Sequence, residues 1–120
     1  MDAEAIRELF AVFGPVSVRR MFGGAGVFAD GIIIAIVADS VIYLKADEAT
    51  VSAFKAEGLQ PFSYQAGSGK RAVMSFRRMP DRLYDDPDEL VGWARAALAA
   101  AQRAAARKSK PKVKSKASRA

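Results

Sequence analysis

The chain has 120 residues with 19 Lys and Arg, 13 Asp and Glu, and no Cys or His, for a formal net charge of +6. The missing residue types exclude disulfide bonds, Cys or His metal ligands, thiolate nucleophiles and imidazole bases. Residues 103–120 hold eight of the 19 cations and no acid, which leaves 11 cations against 13 acids, a charge of −2, in residues 1–102.

One folded domain is expected in residues 1–102, because 36 of the 37 large apolar side chains precede residue 103. Residues 103–120, rich in Ala, Lys and Ser, should form a mostly disordered basic tail beyond any helix that enters them. The acidic start MDAEAIRELF is unlike a secretory signal, and the stretch GIIIAIVA is too short to cross a bilayer. A soluble, cytoplasmic protein is therefore expected.

Apolar residues recur at helical spacing near the N-terminus, namely Ile6, Leu9, Phe10 and Phe13. This spacing predicts a helix over about residues 3–13, with Asp2 as its N-cap and Gly14-Pro15 at its end. The apolar face of this helix should pack on the core of the domain.

Three apolar segments follow and predict three strands, over residues 16–29, 32–38 and 41–46. Asp30-Gly31 between the first two is a strong signal for a two-residue hairpin turn, and Asp39-Ser40 stands where the next turn should be. The glycines at 23, 24 and 26 interrupt the first strand. They indicate a bulge or a close approach of two backbones and not a ligand-binding loop.

The sequence of the second half of the domain predicts a helix, then two strands, then a further helix. Asp47 should cap a short helix ended by Gly58, residues 59–65 and 70–78 should pair, and Asp86 should cap a third helix. The apolar face of that helix comprises Leu90, Ala94, Ala97, Leu98 and Ala101. The predicted fold class is α+β in two layers: a largely antiparallel five-stranded sheet with helices on one face, in the order α-β-β-β-α-β-β-α.

Two segments resemble ligand motifs but have the wrong spacing or context. AGSGKR at 66–71 has Tyr64 and Arg71 where a P-loop requires glycine and Ser or Thr, so it predicts a hairpin turn. The acidic cluster at 85–89 suits the N-terminus of a helix better than a metal site. We therefore predict no cofactor and no metal.

Five cations lie in the predicted strands, namely Arg19, Arg20, Lys45, Arg77 and Arg78. Since neighbours in a strand point to opposite faces, one arginine of each pair should face away from the helices. Together with Lys45, these arginines form either a surface for an anion or a partner, or an ordinary solvated face with ion pairs. The strand aromatics favour core packing over base stacking, because no RNA-binding pattern accompanies them.

The strongest signal for a partner is the tail, whose cations are Arg103, Arg107, Lys108, Lys110, Lys112, Lys114, Lys116 and Arg119. The alternation of Lys with small residues and Pro keeps this segment open. It predicts nonspecific, salt-dependent contact with nucleic acid or another polyanion, with a log–log salt slope of roughly −7 if all eight charges engage duplex DNA. The alternative is a tail that only solubilises. Membrane anchoring is disfavoured because the tail lacks an apolar face.

Three motifs stand out: RRMFGG at 19–24, YLKAD at 43–47, and DDPDEL followed by Trp93-Ala94. Together they resemble the N-terminal domain of the TfoX/Sxy family of competence regulators. The resemblance implies a two-layer α+β domain, transcriptional control of DNA-uptake genes, no enzymatic activity and no catalytic residues. Full-length members carry a second, C-terminal domain, whereas this sequence has a Lys-rich tail, so it resembles a stand-alone version.

The leading interpretation is a non-enzymatic regulatory or adaptor domain whose basic tail contacts nucleic acid or another polyanion. The alternative is a protein-interaction module, for example a homodimer, that uses the sheet face or an open strand edge. An enzyme would need a convergent set of Asp, Glu, Lys, Tyr or Ser side chains, and the sequence shows no such set.

Overall fold

The computed structural model describes residues 1–21 and 23–109, in which three helices cover one face of an antiparallel sheet. The helices are α1 (Ala3–Phe10), α2 (Val51–Ala56) and α3 (Pro87–Ser109), and a 3-10 helix at Asp81–Tyr84 precedes α3. The strands are β1 (Ser17–Met21), β2 (Gly24–Ala29), β3 (Ile32–Ala38), β4 (Val41–Lys45), β5 (Pro61–Ala66) and β6 (Gly69–Arg78). They lie in the order β1-β2-β3-β4-β6-β5.

The predicted α+β class is confirmed, but the prediction of five strands is wrong. The segment predicted as one strand over residues 16–29 folds back on itself as the β1–β2 hairpin. Gly23 lies in its turn at φ +75°, a conformation that favours glycine. The described residues therefore follow the order α-β-β-β-β-α-β-β-α, apart from the 3-10 helix. The close backbone approach predicted for these glycines is present at Gly24, where a Cβ would collide with the carbonyl oxygen of Val37.

The other predicted turns are confirmed. In the turn at Asp30-Gly31 the two residues have φ values of 52° and 79°, and at Asp39-Ser40 they have values of 52° and 62°. Positive φ at both positions is what the type I′ turn of a two-residue hairpin requires. The P-loop-like segment is the turn between β5 and β6, with Gly67 at φ +57°. Gly67 therefore serves the change of chain direction, and Gly69 is the first residue of β6.

Side-chain caps begin the two longer helices where the sequence predicts them. Asp2 accepts a hydrogen bond from the backbone N–H of Ala5 at 2.8 Å, and Asp86 accepts one from Glu89 at 3.1 Å. Helix α2 begins at Val51, later than expected, because Asp47 caps the turn that precedes it. In each case a carboxylate satisfies a backbone donor that has no partner within its own helix or turn.

The main core lies between the sheet and α3. Four of the five predicted α3 residues are buried against the sheet, namely Leu90, Ala94, Ala97 and Ala101, while Leu98 is partly buried. The opposite side of the sheet, which we call the helix-free face, has a smaller apolar cluster centred on Ile36, Phe62 and Phe76. Phe62 and Phe76 are each 6% exposed, so most of their ring surface is already covered.

Candidate functional site

The predicted polyanion-binding residues begin on the last turns of α3. Arg103, Arg107 and Lys108 are exposed residues of this helix. The other five predicted residues, Lys110, Lys112, Lys114, Lys116 and Arg119, lie outside the described part of the chain. Their contact with a polyanion therefore stays a prediction.

Arg103 is bound to the body of the domain. Its Nε and Nη2 donate hydrogen bonds to the two carboxylate oxygens of Asp47 at 2.7 and 3.1 Å. These bonds are the main reason why the pKa of Asp47 lies below its ordinary value of 3.8. The Asp47 side chain is only 13% exposed, so water screens this ion pair less than a fully exposed one. Arg103 is consequently less available to a polyanion than Arg107 or Lys108.

The end of α3 also brings positive charge close to Lys45 at the end of β4. Burial is the main cause that lowers the pKa of Lys45 below 10.5, the charge of Lys108 lowers it further, and Asp47 opposes both effects. The Nζ of Lys45 lies 4.8 Å from the centre of the Phe76 ring, as in a cation–π contact. Within residues 1–21 and 23–109, Lys45 forms no salt bridge.

Arg19 and Arg78 lie on the helix-free face. The Arg19 guanidinium stands 4.8 Å over the centre of the Phe28 ring. Arg78 is the cross-strand partner of Tyr43, and its Nη2 donates to Asp81 at 3.3 Å. Each of these predicted surface arginines thus has a local contact in the folded chain.

Arg20 and Arg77 lie on the helix side of the sheet. Arg20 is exposed and lines a cavity beside the start of α1. Arg77 is the cross-strand partner of the core residue Leu44 and is only 7% exposed. Its Nη1 donates to the carbonyl oxygen of Leu59 at 3.1 Å, and its Nε has no hydrogen-bond partner in the described residues. The five predicted sheet cations therefore do not form one continuous strip.

Arg82 links α2 to the start of α3, a contact that the sequence analysis missed. Its guanidinium donates two hydrogen bonds to Glu57, at 2.8 and 2.9 Å, and two to Glu89, at 2.9 and 2.8 Å. These bonds are the main cause that lowers the pKa of both glutamates below 4.5. Glu89 also accepts from the indole N–H of Trp93 at 3.2 Å. This member of the predicted acidic cluster therefore has a structural role.

We expect acid to weaken the fold through these glutamates. Because Arg82 lowers their pKa in the folded chain, their stabilisation is fully present above the ordinary value of 4.5 and is lost as the pH falls below it. Arg82→Ala should therefore flatten the pH dependence of the urea unfolding midpoint below pH 4.5. Its effect at neutral pH should be small, because the pairs are partly solvated.

Arg95→Ala is the matched control for this experiment. Arg95 is an exposed arginine of α3 with no salt bridge in the described chain. Its substitution should keep the parent pH dependence. If the midpoint of Arg82→Ala falls with pH as steeply as that of the parent, the glutamates do not act through Arg82.

The described residues offer neither a metal site nor a membrane span. No group of three or more acidic side chains among residues 1–21 and 23–109 is placed to hold a metal ion. Across the same residues, every helix is too short or too polar to span a bilayer.

Comparison with known proteins identifies the family. No curated protein matches the chain. The family model for the TfoX N-terminal domain matches residues 8–101. The matched span runs from within α1 to within α3 and includes all six strands. The chain therefore belongs to the TfoX N-terminal domain family.

Proposed function

We propose that this domain is a non-enzymatic regulatory or adaptor module that contacts DNA or another polyanion through its basic C-terminal segment. Membership of the TfoX N-terminal domain family suggests a regulatory or adaptor role, and the family is not known as enzymatic. Duplex DNA is the polyanion to test first, because the resemblance to competence regulators implies transcriptional control of DNA-uptake genes.

The separation of charge along the chain carries this proposal. Residues 103–120 have eight cations and no acid, while residues 1–102 have 11 cations against 13 acids. A segment of this kind attracts phosphate groups by releasing their counterions, and it does so without reading bases. The exposed Arg107 and Lys108 near the C-terminus of α3 support the proposal, since these two cations of the segment lie at the surface of the folded chain.

The ion pair of Arg103 with Asp47 reduces the number of available cations from eight to seven. We therefore expect a log–log salt slope of about −6 on duplex DNA, shallower than the slope for eight free charges. The measured slope therefore distinguishes binding by the seven cations from Arg107 onward from binding by all eight, which include Arg103.

Titration of a DNA duplex at several salt concentrations tests the proposal. The test variant replaces four tail lysines with glutamine, at Lys110, Lys112, Lys114 and Lys116, and so keeps the length of the tail. We expect the affinity at low salt to fall by about a hundredfold or more and the slope to become shallower by roughly 3.6.

A body variant, with Lys70, Arg71 and Arg95 replaced by glutamine, provides the control for lost positive charge. These cations lie outside the C-terminal segment, so their removal should change the affinity much less. The proposal is wrong if the tail variant keeps the affinity and the salt slope of the parent.

A protein-interaction module is the second candidate, because the folded domain keeps apolar side chains and strand edges at its surface. Met74 is 60% exposed and Tyr64 is 45% exposed on the β5–β6 hairpin, and β1 and β5 lie at the two ends of the sheet. The mass of the tail variant in solution distinguishes this candidate. A dimer would favour it, and a monomer at high concentration would count against a homodimer.

A further inference from the structure

A cavity of about 390 Å³ lies between the end of β4, strand β6 and the C-terminal turns of α3. This volume falls within the range of small-molecule sites, roughly 300–1,000 Å³. Four cations line the cavity, one each from β4, α2, β6 and α3, and they are Lys45, Lys55, Arg77 and Arg107. Elements that are distant in sequence thus contribute four cationic residues to one lining.

The charges that line this cavity do not balance. Among the residues that the structure describes, two acids, Asp47 and Glu48, line it together with the four cations. Asp47 is already hydrogen-bonded by Arg103, which is not among the lining residues. The excess of positive charge is therefore larger than one carboxylate could neutralise, and an anion with two or more charges fits the cavity better.

Arg77 is a buried cation in this lining, and its surroundings favour an anionic ligand. It is 7% exposed and makes no salt bridge within the described residues. Its only side-chain hydrogen bond among the described residues goes from Nη1 to the carbonyl oxygen of Leu59, and its buried Nε has no partner there. A buried cation without a counter-charge is costly, so a bound anion would stabilise this arrangement.

A second cavity of about 660 Å³ adjoins the first and shares Lys45, Ala104 and Arg107 with it. Lys108 lines this second cavity and adds another cation. Burial and the charge of Lys108 both lower the pKa of Lys45, and an anion between these groups would oppose that effect. Besides Arg107 and Lys108, α3 contributes alanines to the walls, of which the partly buried Ala104 and Ala105 offer apolar surface for the body of a ligand.

We propose that the first cavity binds a small phosphorylated molecule, with its phosphate or diphosphate group among the four cations and its apolar part against Ala104. This site differs from the proposed DNA contact of the tail, because Lys45, Lys55 and Arg77 lie outside residues 103–120 and only Arg107 is shared with that segment. It can exist whether or not the tail binds DNA.

Calorimetric titration of the full chain with inorganic pyrophosphate, at constant ionic strength, tests the site. The test variants are Lys55→Gln and Arg107→Gln, which alter exposed residues and should leave the fold intact. Each should weaken pyrophosphate binding about tenfold, as expected for the loss of a hydrogen bond between charged groups.

The controls are Lys70→Gln and Arg95→Gln, which remove the same charge at exposed positions that do not line the cavity. They should change the affinity less than twofold, which is about 0.4 kcal/mol. Lys55→Gln and the two controls keep all eight cations of residues 103–120, so only the cavity distinguishes Lys55→Gln from the controls. Arg107→Gln also removes a cation of that segment. Equal affinity of Lys55→Gln and the two controls, as binding by the tail alone would give, overturns the proposal, and so does an absence of pyrophosphate binding by the parent.

Arg77→Met separates a binding role from a structural one. If Arg77 serves a ligand, the ligand-free variant should unfold at an unchanged or higher temperature and should bind pyrophosphate more weakly. A lower unfolding temperature with unchanged affinity would assign Arg77 to the fold alone and contradict its place in the site. If this variant does not fold, the comparison of Lys55→Gln with its two controls still decides the proposal.

Discussion

Replacement of Phe10 with Ala is expected to lower the free energy of unfolding by about 4 kcal/mol. The Phe10 side chain is fully buried in the main core, and its ring meets that of Phe13 edge-on with centres 6.5 Å apart. The substitution removes the ring and leaves a cavity that the surrounding core can fill only in part. A domain of this size is stable by about 5–15 kcal/mol, so the variant would lose a large fraction of its stability.

Urea unfolding followed by the fluorescence of Trp93 measures this loss. Val12→Ala is the matched control, since Val12 lies just after α1 and is 53% exposed. Its substitution should change the free energy of unfolding by less than about 0.5 kcal/mol. Similar losses in the two variants would mean that α1 does not dock on the core through Phe10.

The position of α1 could be predicted from the sequence because its determinants are local. Ile6 and Phe10 are buried, and Leu9 and Phe13 pack against the same cluster, as their helical spacing predicts. The cap at Asp2 is local too, since donor and acceptor are three residues apart. Within such short distances along the chain, periodicity and capping determine the structure.

The charged contacts could not be predicted in this way because they join distant segments. Arg103 and Asp47 are 56 residues apart, and Arg82 and Glu57 are 25 apart. The burial of Arg77 has a similar origin, since it follows from the pairing of β6 with β4. Hairpin patterns predict that β5 and β6 pair, but they do not specify which of the two lies beside β4.

The β1–β2 hairpin was missed for a different reason. The segment 16–29 is apolar on both sides of its glycines and lacks the Asn-Gly or Asp-Gly pair that marks a two-residue turn. A bulged strand and a hairpin therefore fit the same pattern. The structure resolves this ambiguity, with Gly23 in the turn and Gly24 as the first residue of β2.

Gly24→Ala is expected to destabilise the domain by about 3 kcal/mol. A Cβ at this position would collide with the carbonyl oxygen of Val37 and would lie 3.4 Å from the Cα of Ala38. Both atoms belong to the backbone of β3, so no side chain can rotate away. Strands β2 and β3 would have to separate at this point, which weakens their hydrogen bonds.

Gly92→Ala is the same substitution at a position where it should stabilise the domain. Gly92 lies within α3, a Cβ there meets no atom within 4 Å, and alanine favours a helix over glycine by about 1 kcal/mol. Urea unfolding should therefore move in opposite directions in the two variants. Opposite signs would assign Gly24, which is the second glycine of RRMFGG, to strand packing and not to ligand binding. Equal stability of Gly24→Ala and the parent would contradict this assignment and would favour a binding role for Gly24.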